Sequence, residues 1–238
     1  MGSRFFTTEA LVIGSMRYRE ADRIVTLYTR ERGRLGAIAK GVRRTKSKVG
    51  GRLEPFSLVR ASLYSGRGLY TVVGVDTLRT FQAVRDELFR MQEGARLLAA
   101  VRHLFPGEEG SVPAFNLLVR GIARLADSPD AETAASVVLA TRLKLLVLLG
   151  YAPEMSRCAA CSSEGSLYGF SPSLGGVVCG PCAATDAASC FALSAGAIST
   201  LRALLDNPLA DVEHLSIDDR AIAEVEQVLA QTLAYHGH

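Results

Sequence analysis

Five cysteines are the residues of this chain whose type and spacing most directly specify chemistry. Cys158-Ala159-Ala160-Cys161 and Cys179-Gly180-Pro181-Cys182 form two CxxC knuckles with 17 residues between them. Each knuckle lets two thiolates converge on one ion, and a spacer of that length lets the pairs close a tetrahedral four-cysteine site. Cys158, Cys161, Cys179 and Cys182 therefore predict one structural Zn2+ per chain, because four thiolates leave no open position for catalysis. Gly165, Gly169, Gly175, Gly176 and Gly180 lie within the pattern, as in a loop-rich module held by metal, at about residues 156–190. The second knuckle also matches the Cys-Gly-Pro-Cys of thiol-disulfide oxidoreductases. That chemistry needs a βαβ frame, which the flanking sequence does not display, so a redox enzyme is the weaker alternative. Cys190 reads as a small buried hydrophobe.

A sorting of charge is the second feature. Up to Arg79 there are 16 Lys and Arg against 6 Asp and Glu, whereas the remaining residues carry 11 against 18. The net charge of +3 thus conceals a basic module joined to an acidic one. A basic surplus attracts phosphate through counterion release, and an acidic module is the poorer place for nucleic acid. Lys40, Arg43, Arg44, Lys46, Lys48 and Arg52 fall in one run without an acid among them. Alone, such a run is as readily a solvated loop as a binding site. Arg17, Arg19, Arg34 and Arg60 are expected to reach the same side, and Tyr18, Tyr28, Tyr64 and Tyr70 are candidates for base stacking, though each suits strand packing better.

These side chains need elements to position them. Residues 11–16, 23–29, 34–40, 56–64 and 69–75 are rich in Val, Ile, Tyr and Thr and separated by turn signals, which predicts five strands, the last with Leu69, Thr71, Val73 and Val75 on one face. Five antiparallel strands in about 75 residues fit a small closed barrel of the OB or SH3-like type. Beyond Thr80 the period becomes helical. Phe81, Val84, Leu88, Met91, Ala95, Leu98 and Val101 form one stripe, residues 112–125 continue in that style, and Ser128-Pro129-Asp130 opens a third helix ending at Gly150. Ser194 is placed to cap a helix through Leu205, and Ser216 with Asp219 resembles a capping box for residues 221–235. The expected fold is α+β and multidomain, with residues 1–79 as a basic nucleic-acid-binding barrel and residues 80–238 as an all-α domain carrying the four-cysteine zinc module.

The chain lacks a Gly-x-x-x-x-Gly-Lys-Ser/Thr phosphate loop, a His-Glu-x-x-His helix and a Gly-x-Ser-x-Gly elbow. His103, His214, His236 and His238 are scattered, so no enzyme is indicated. The start has no apolar run of signal-peptide length, and residues 134–150, interrupted by Arg142 and Lys144, are too short to span a bilayer comfortably. A cytoplasmic, nucleoid-associated protein without a membrane role is the expectation.

Three segments carry a family resemblance: Tyr18-Arg19-Glu20-Ala21-Asp22-Arg23-Ile24-Val25-Thr26-Leu27-Tyr28-Thr29-Arg30-Glu31-Arg32-Gly33, Lys40-Gly41-Val42-Arg43-Arg44-Thr45-Lys46-Ser47, and Leu53-Glu54-Pro55-Phe56. They resemble the RecO family of bacterial DNA-repair proteins, which are recombination mediators, and the order of modules agrees. The resemblance implies an OB-fold followed by a helical domain with the zinc site. It implies binding of single- and double-stranded DNA without sequence specificity and annealing of complementary strands. It further implies action with RecR to load recombinase on coated single strands, and contact of the helical domain with single-stranded-DNA-binding protein. Residues 230–238 lack the basic tail associated with other members, so the resemblance does not carry DNA contacts over to that end. An OB-fold RNA-binding factor is the alternative on the same barrel.

Overall fold

Alternating apolar and polar residues over the first eighty positions form strands that curl into a ring. The computed structural model describes residues 4–44, 49–66, 68–185, 189–215 and 217–236. Its strands are β1 (Phe5–Tyr18), β2 (Asp22–Thr29), β3 (Gly33–Ala39), β4 (Ser57–Tyr64) and β5 (Tyr70–Thr80). The barrel closes in the order β1-β2-β3-β5-β4, with antiparallel neighbours except for a short parallel pairing of β3 with β5. That is OB-type topology. Ala10, Val12, Val25, Leu27, Leu35, Ala37, Val59, Ala61 and Leu63 fill the interior, and Val42 and Leu53 of the β3–β4 link join them. Alanines among the larger residues suit the narrow bore of a five-stranded ring.

The expected face of β5 is corrected by a bulge. Ser62 pairs with Gly74 but Leu63 with Val72, so Val73 is an extra residue that moves the alternation by one. Tyr70, Val72 and Val75 therefore pack on the core, whereas Val73 is 55% exposed.

The chain divides into two compact units, Met1–Asp127 and Ser128–His238. The first contains the barrel with α1 (Gln82–Asp86), α2 (Leu88–Leu104) and α3 (Val112–Asp127). The single stripe expected from Phe81 to Val101 is broken at Glu87, whose extended backbone (φ −115°, ψ 128°) separates α1 from α2. Phe81, Val84, Leu98 and Val101 are buried, but Leu88, Met91 and Ala95 face solvent. The helical layer covers part of the barrel's outer face. Tyr28 is buried with its ring centroid 5.4 Å from Phe105 and 6.4 Å from Phe115, and Arg102 Nη1 donates to the Ile13 carbonyl at 2.6 Å. Gly33 turns β2 into β3 at φ +58°, and a Cβ there would come within 2.5 Å of the Glu109 carbonyl oxygen, so only glycine fits.

The second unit holds α4 (Ala131–Leu148), β6 (Leu167–Ser171), β7 (Gly176–Cys179), α5 (Gly180–Thr185), β8 (Phe191–Ala192), α6 (Ala195–Asp206) and α7 (Asp219–His236). Asp130 caps α4 by accepting from the Thr133 amide at 2.8 Å, and Ser194 caps α6 by accepting from the Ala197 amide at 3.1 Å. Ser216 lies outside the described residues; Asp218 accepts from the Ala221 amide at 2.8 Å at the start of α7. The two charges that interrupt α4 fasten its neighbours. Arg142 Nη1 donates to both carboxylate oxygens of Glu226 on α7, and Lys144 Nζ donates to the Leu205 carbonyl on α6 at 2.6 Å. Burial pushes the Lys144 amine below its ordinary value, with Asp206 opposing that effect. Among the described residues no helix is long and apolar enough to cross a membrane.

Candidate functional site

The two knuckles meet on a small sheet, strand order β7-β6-β8, that the glycine-rich sequence did not announce. Gly169 lets β6 and β8 approach, since a Cβ there would lie 2.3 Å from the Phe191 carbonyl oxygen. Main-chain hydrogen bonds shape the first knuckle. Cys158 N donates to the Ser163 carbonyl at 2.9 Å, Ala159 N to that of Val177 at 2.8 Å, and Ser162 N to that of Cys158 at 2.8 Å.

The Sγ atoms of Cys158, Cys161, Cys179 and Cys182 all lie within 4.8 Å of one another. Cys161 and Cys179 are 3.8 Å apart, close to the edge of about 3.8 Å that a tetrahedron with metal–sulfur bonds of about 2.3 Å requires. Burial pushes the Cys158 thiol up, but amide groups of Cys179, Cys161 and Ala160 outweigh it and bring the thiol down to about 6. One of these is the Cys179 amide, 3.3 Å from the Cys158 sulfur. Cys182 is pushed up to about 12 as its sulfur shares hydrogen bonds with Cys179 and Cys161. Four thiols at this spacing cannot all ionise unless a cation neutralises them, so the cluster suits a metal ion. Cys179 does end a strand and Cys182 does lie in a helix, contrary to the reading of the flanks, but β7 runs antiparallel to β6 and α5 spans six residues. Cys190 packs, half-buried, beside the cluster.

The second site is one end of the barrel, where the β1–β2 turn and the β3–β4 link come together. Asp22 accepts from the Gly41 amide at 2.8 Å, the Arg43 amide donates to the Ala21 carbonyl at 3.0 Å, and Arg43 Nη1 donates to the Glu20 carbonyl at 2.9 Å. Arg19 occupies the turn in a left-handed conformation (φ 52°), its guanidinium 5.2 Å from the Tyr18 ring centroid. Arg17, Arg19, Lys40, Arg43 and Arg44 are exposed there. Arg52 follows in the same link, with its Nη1 donating to the Val75 carbonyl at 2.7 Å. Lys46 and Lys48 lie outside the described residues.

Two expected members stand elsewhere. Arg34 begins β3 at the opposite end and donates to the carbonyls of Arg102 and Pro106 at 3.2 and 2.6 Å, closing off the end of α2. Arg60 sits midway along β4 and pairs with Glu9 at 3.5 Å. Of the tyrosines, Tyr28 is enclosed, its hydroxyl pushed up to about 12 by burial, and the Tyr70 hydroxyl donates to Glu108 at 2.8 Å. The aspartate that pins the rim, Asp22, was missed. Its place just after a turn of three residues was the available signal.

A closed barrel of OB order with a cationic rim, followed by a helical unit built on a four-thiol cluster, defines a two-module protein of the oligomer-binding barrel class. The chain matches the family described as Recombination protein O N terminal over residues 1–81 and that described as Recombination protein O C terminal over residues 85–237. It is 39% identical over 208 residues to the DNA repair protein RecO of Rubrobacter xylanophilus, covering 87% of this chain and 83% of the relative. It is 37% identical over 236 residues to that of Pelotomaculum thermopropionicum, covering 98% and 90%, and 37% identical to that of a Nocardioides species, covering 97% and 94%. The chain belongs to the RecO family of recombinational DNA repair proteins.

Proposed function

We propose that this protein is a non-enzymatic mediator that binds single- and double-stranded DNA without reading sequence and anneals complementary strands. The observation that carries the reading is the gathering of Arg17, Arg19, Lys40, Arg43 and Arg44 at one barrel end, with turn and link tied together by Asp22 and Arg43. Cations held on a rigid rim neutralise phosphates of two strands at once and lower the repulsion that slows pairing. Annealing then needs no nucleotide cofactor. In this reading residues 1–79 are the DNA-binding domain. Residues 80–238 are the helical domain, braced by one structural Zn2+ at Cys158, Cys161, Cys179 and Cys182, with an acidic surface suited to proteins. Its partners in the pathway are RecR, with which it loads recombinase on coated single strands, and single-stranded-DNA-binding protein.

Strand annealing of bare and protein-coated oligonucleotides tests the proposal. Pairing is accelerated at low salt, and with about six phosphates contacted on a single strand the log–log salt slope of affinity is near −4. No acceleration, or a slope near zero, removes the electrostatic mechanism. Matched RNA and DNA oligomers in competition distinguish the RNA-factor alternative.

A further inference from the structure

Phe5 opens β1 and Tyr64 closes β4, and the register sets them directly opposite each other. Their ring centroids are 4.7 Å apart with planes tilted by 49°. Alternation places them on the outer face of the barrel, opposite to Phe6, which packs against the core. Phe5 is 59% exposed there, so much of a large apolar ring faces water. A pair serving sheet stability alone gains by being covered, at about 25 cal/mol per Å2 of apolar surface removed from water.

The surroundings of the pair are cationic and hydroxylic. Arg4 Nη1 lies 3.4 Å from the Tyr64 hydroxyl, as its donor. The next rung on this face is Thr7 with Ser62, hydroxyls 3.1 Å apart, and the rung beyond is Glu9 with Arg60, which Arg30 joins at 3.2 Å. At the same barrel end Arg32 lies 4.1 Å from the Phe6 ring centroid. A solvent-exposed aromatic ring with guanidinium groups near it is what a single-stranded nucleic acid requires, since its bases stack and its phosphates are neutralised.

We propose that Phe5 and Tyr64 form a base-stacking ledge for single-stranded DNA, at the opposite end of β1 from the Arg17–Arg19 rim. The inference rests on the DNA-binding reading above. The twelve residue steps from Phe5 to Arg17 span about 40 Å of strand, within reach of a strand occupying the roughly 4–16 nucleotides usual for one OB barrel. A duplex keeps its base faces covered and cannot use the ledge. Rim and ledge thus divide the work: the rim takes phosphates of either form, and the ledge selects the single strand.

The chain contains no tryptophan, so Phe5→Trp installs a sole indole on the ledge. Titration with a twenty-nucleotide oligo(dT) quenches that fluorescence along the same isotherm as the anisotropy of the labelled oligonucleotide, whereas a duplex of equal length leaves it nearly unchanged. Phe5→Ala and Tyr64→Ala each weaken oligo(dT) binding about tenfold, with duplex affinity and salt slope kept. If the alanine variants fail to fold, the indole signal decides. Binding by anisotropy without quenching, or full oligo(dT) affinity in folded alanine variants, overturns the ledge and leaves the DNA-binding reading standing. Absence of any binding by the unaltered protein at low salt overturns that reading and the ledge with it.

Discussion

Arg43 meets Glu20 through the main chain: its guanidinium donates to the Glu20 carbonyl at 2.9 Å, fastening the β3–β4 link to the β1–β2 turn. Arg44, one residue on, is exposed, and its amide donates to the Gly41 carbonyl at 3.1 Å. Adjacent arginines therefore carry different duties. Arg44→Glu should lower affinity for any DNA sequence to a similar degree, reduce the salt slope by about one for the lost contact, and leave the melting temperature unchanged. Arg43→Ala should weaken binding and also lower stability by about 1–2 kcal/mol, since a charge-assisted hydrogen bond is lost. Sequence-dependent losses for Arg44→Glu in filter binding would contradict the phosphate role.

Arg34 shows the converse case. It belongs to the basic surplus, yet both of its described side-chain bonds go to carbonyls at the end of α2. Arg34→Ala should cost about 1–3 kcal/mol in urea unfolding and leave DNA affinity within about twofold. A large affinity loss with unchanged stability would return Arg34 to the interface.

Net charge and composition set the basic segment apart but could not sort Arg34 from Arg44, because partners at residues 102 and 106 are invisible to local pattern. The same limit governs the fold. β2 and β3 were legible from β-branched content and the Gly33 turn. The phase of β5 was not, since the bulge at Val73 follows from pairing with β4. Glu87 has no helix-breaking chemistry, so the stripe through Leu88 and Met91 read as continuous. The gathering of the four thiols into one cluster needed spacing alone and was legible, while the sheet beneath them, with strands as short as Phe191–Ala192, carries too little periodicity to register.

Arg142 and Glu226 couple α4 to α7, with Nη1 at 2.6 and 2.8 Å from the two carboxylate oxygens and side-chain exposures of 12% and 30%. Arg142→Met should destabilise the protein by about 2–3 kcal/mol, less than a fully enclosed pair because water reaches Glu226. Arg142 Nε is buried without a hydrogen-bond partner among the described residues. The double variant Arg142→Met with Glu226→Leu should therefore recover most of the loss, a result readable from thermal unfolding of the full cycle. Additive losses would mean that the pair is not coupled.

Metal content tests the cluster. The purified protein should hold about one zinc per chain, and chelation at neutral pH should lower the melting temperature, because ligand binding and folding of such modules are linked. Cys158→Ser should lose the metal, since this thiol accepts the Cys179 amide and packs in the module's own core. Cys190→Ser should keep it. Full zinc occupancy in Cys158→Ser by elemental analysis would break the ligand assignment.

Glu224 supplies a pH dependence with a definite sign. The Ser194 amide donates to its Oε2 at 2.7 Å, and this bond, with Arg220 nearby, holds its carboxyl below the ordinary 4.5 despite opposing desolvation. The folded state therefore releases this proton more readily than the unfolded chain does. Its stabilisation is fully present above pH 4.5 and is lost as pH falls through the folded value. Because the same Ser194 caps α6 with its hydroxyl, protonation loosens the segment that joins β8 to α6. Glu224→Gln should be less stable than the unaltered protein at pH 7, and the gap should narrow as pH falls below the ordinary 4.5. Urea midpoints across that range measure it, and a gap independent of pH would show that the charge on Glu224 contributes nothing.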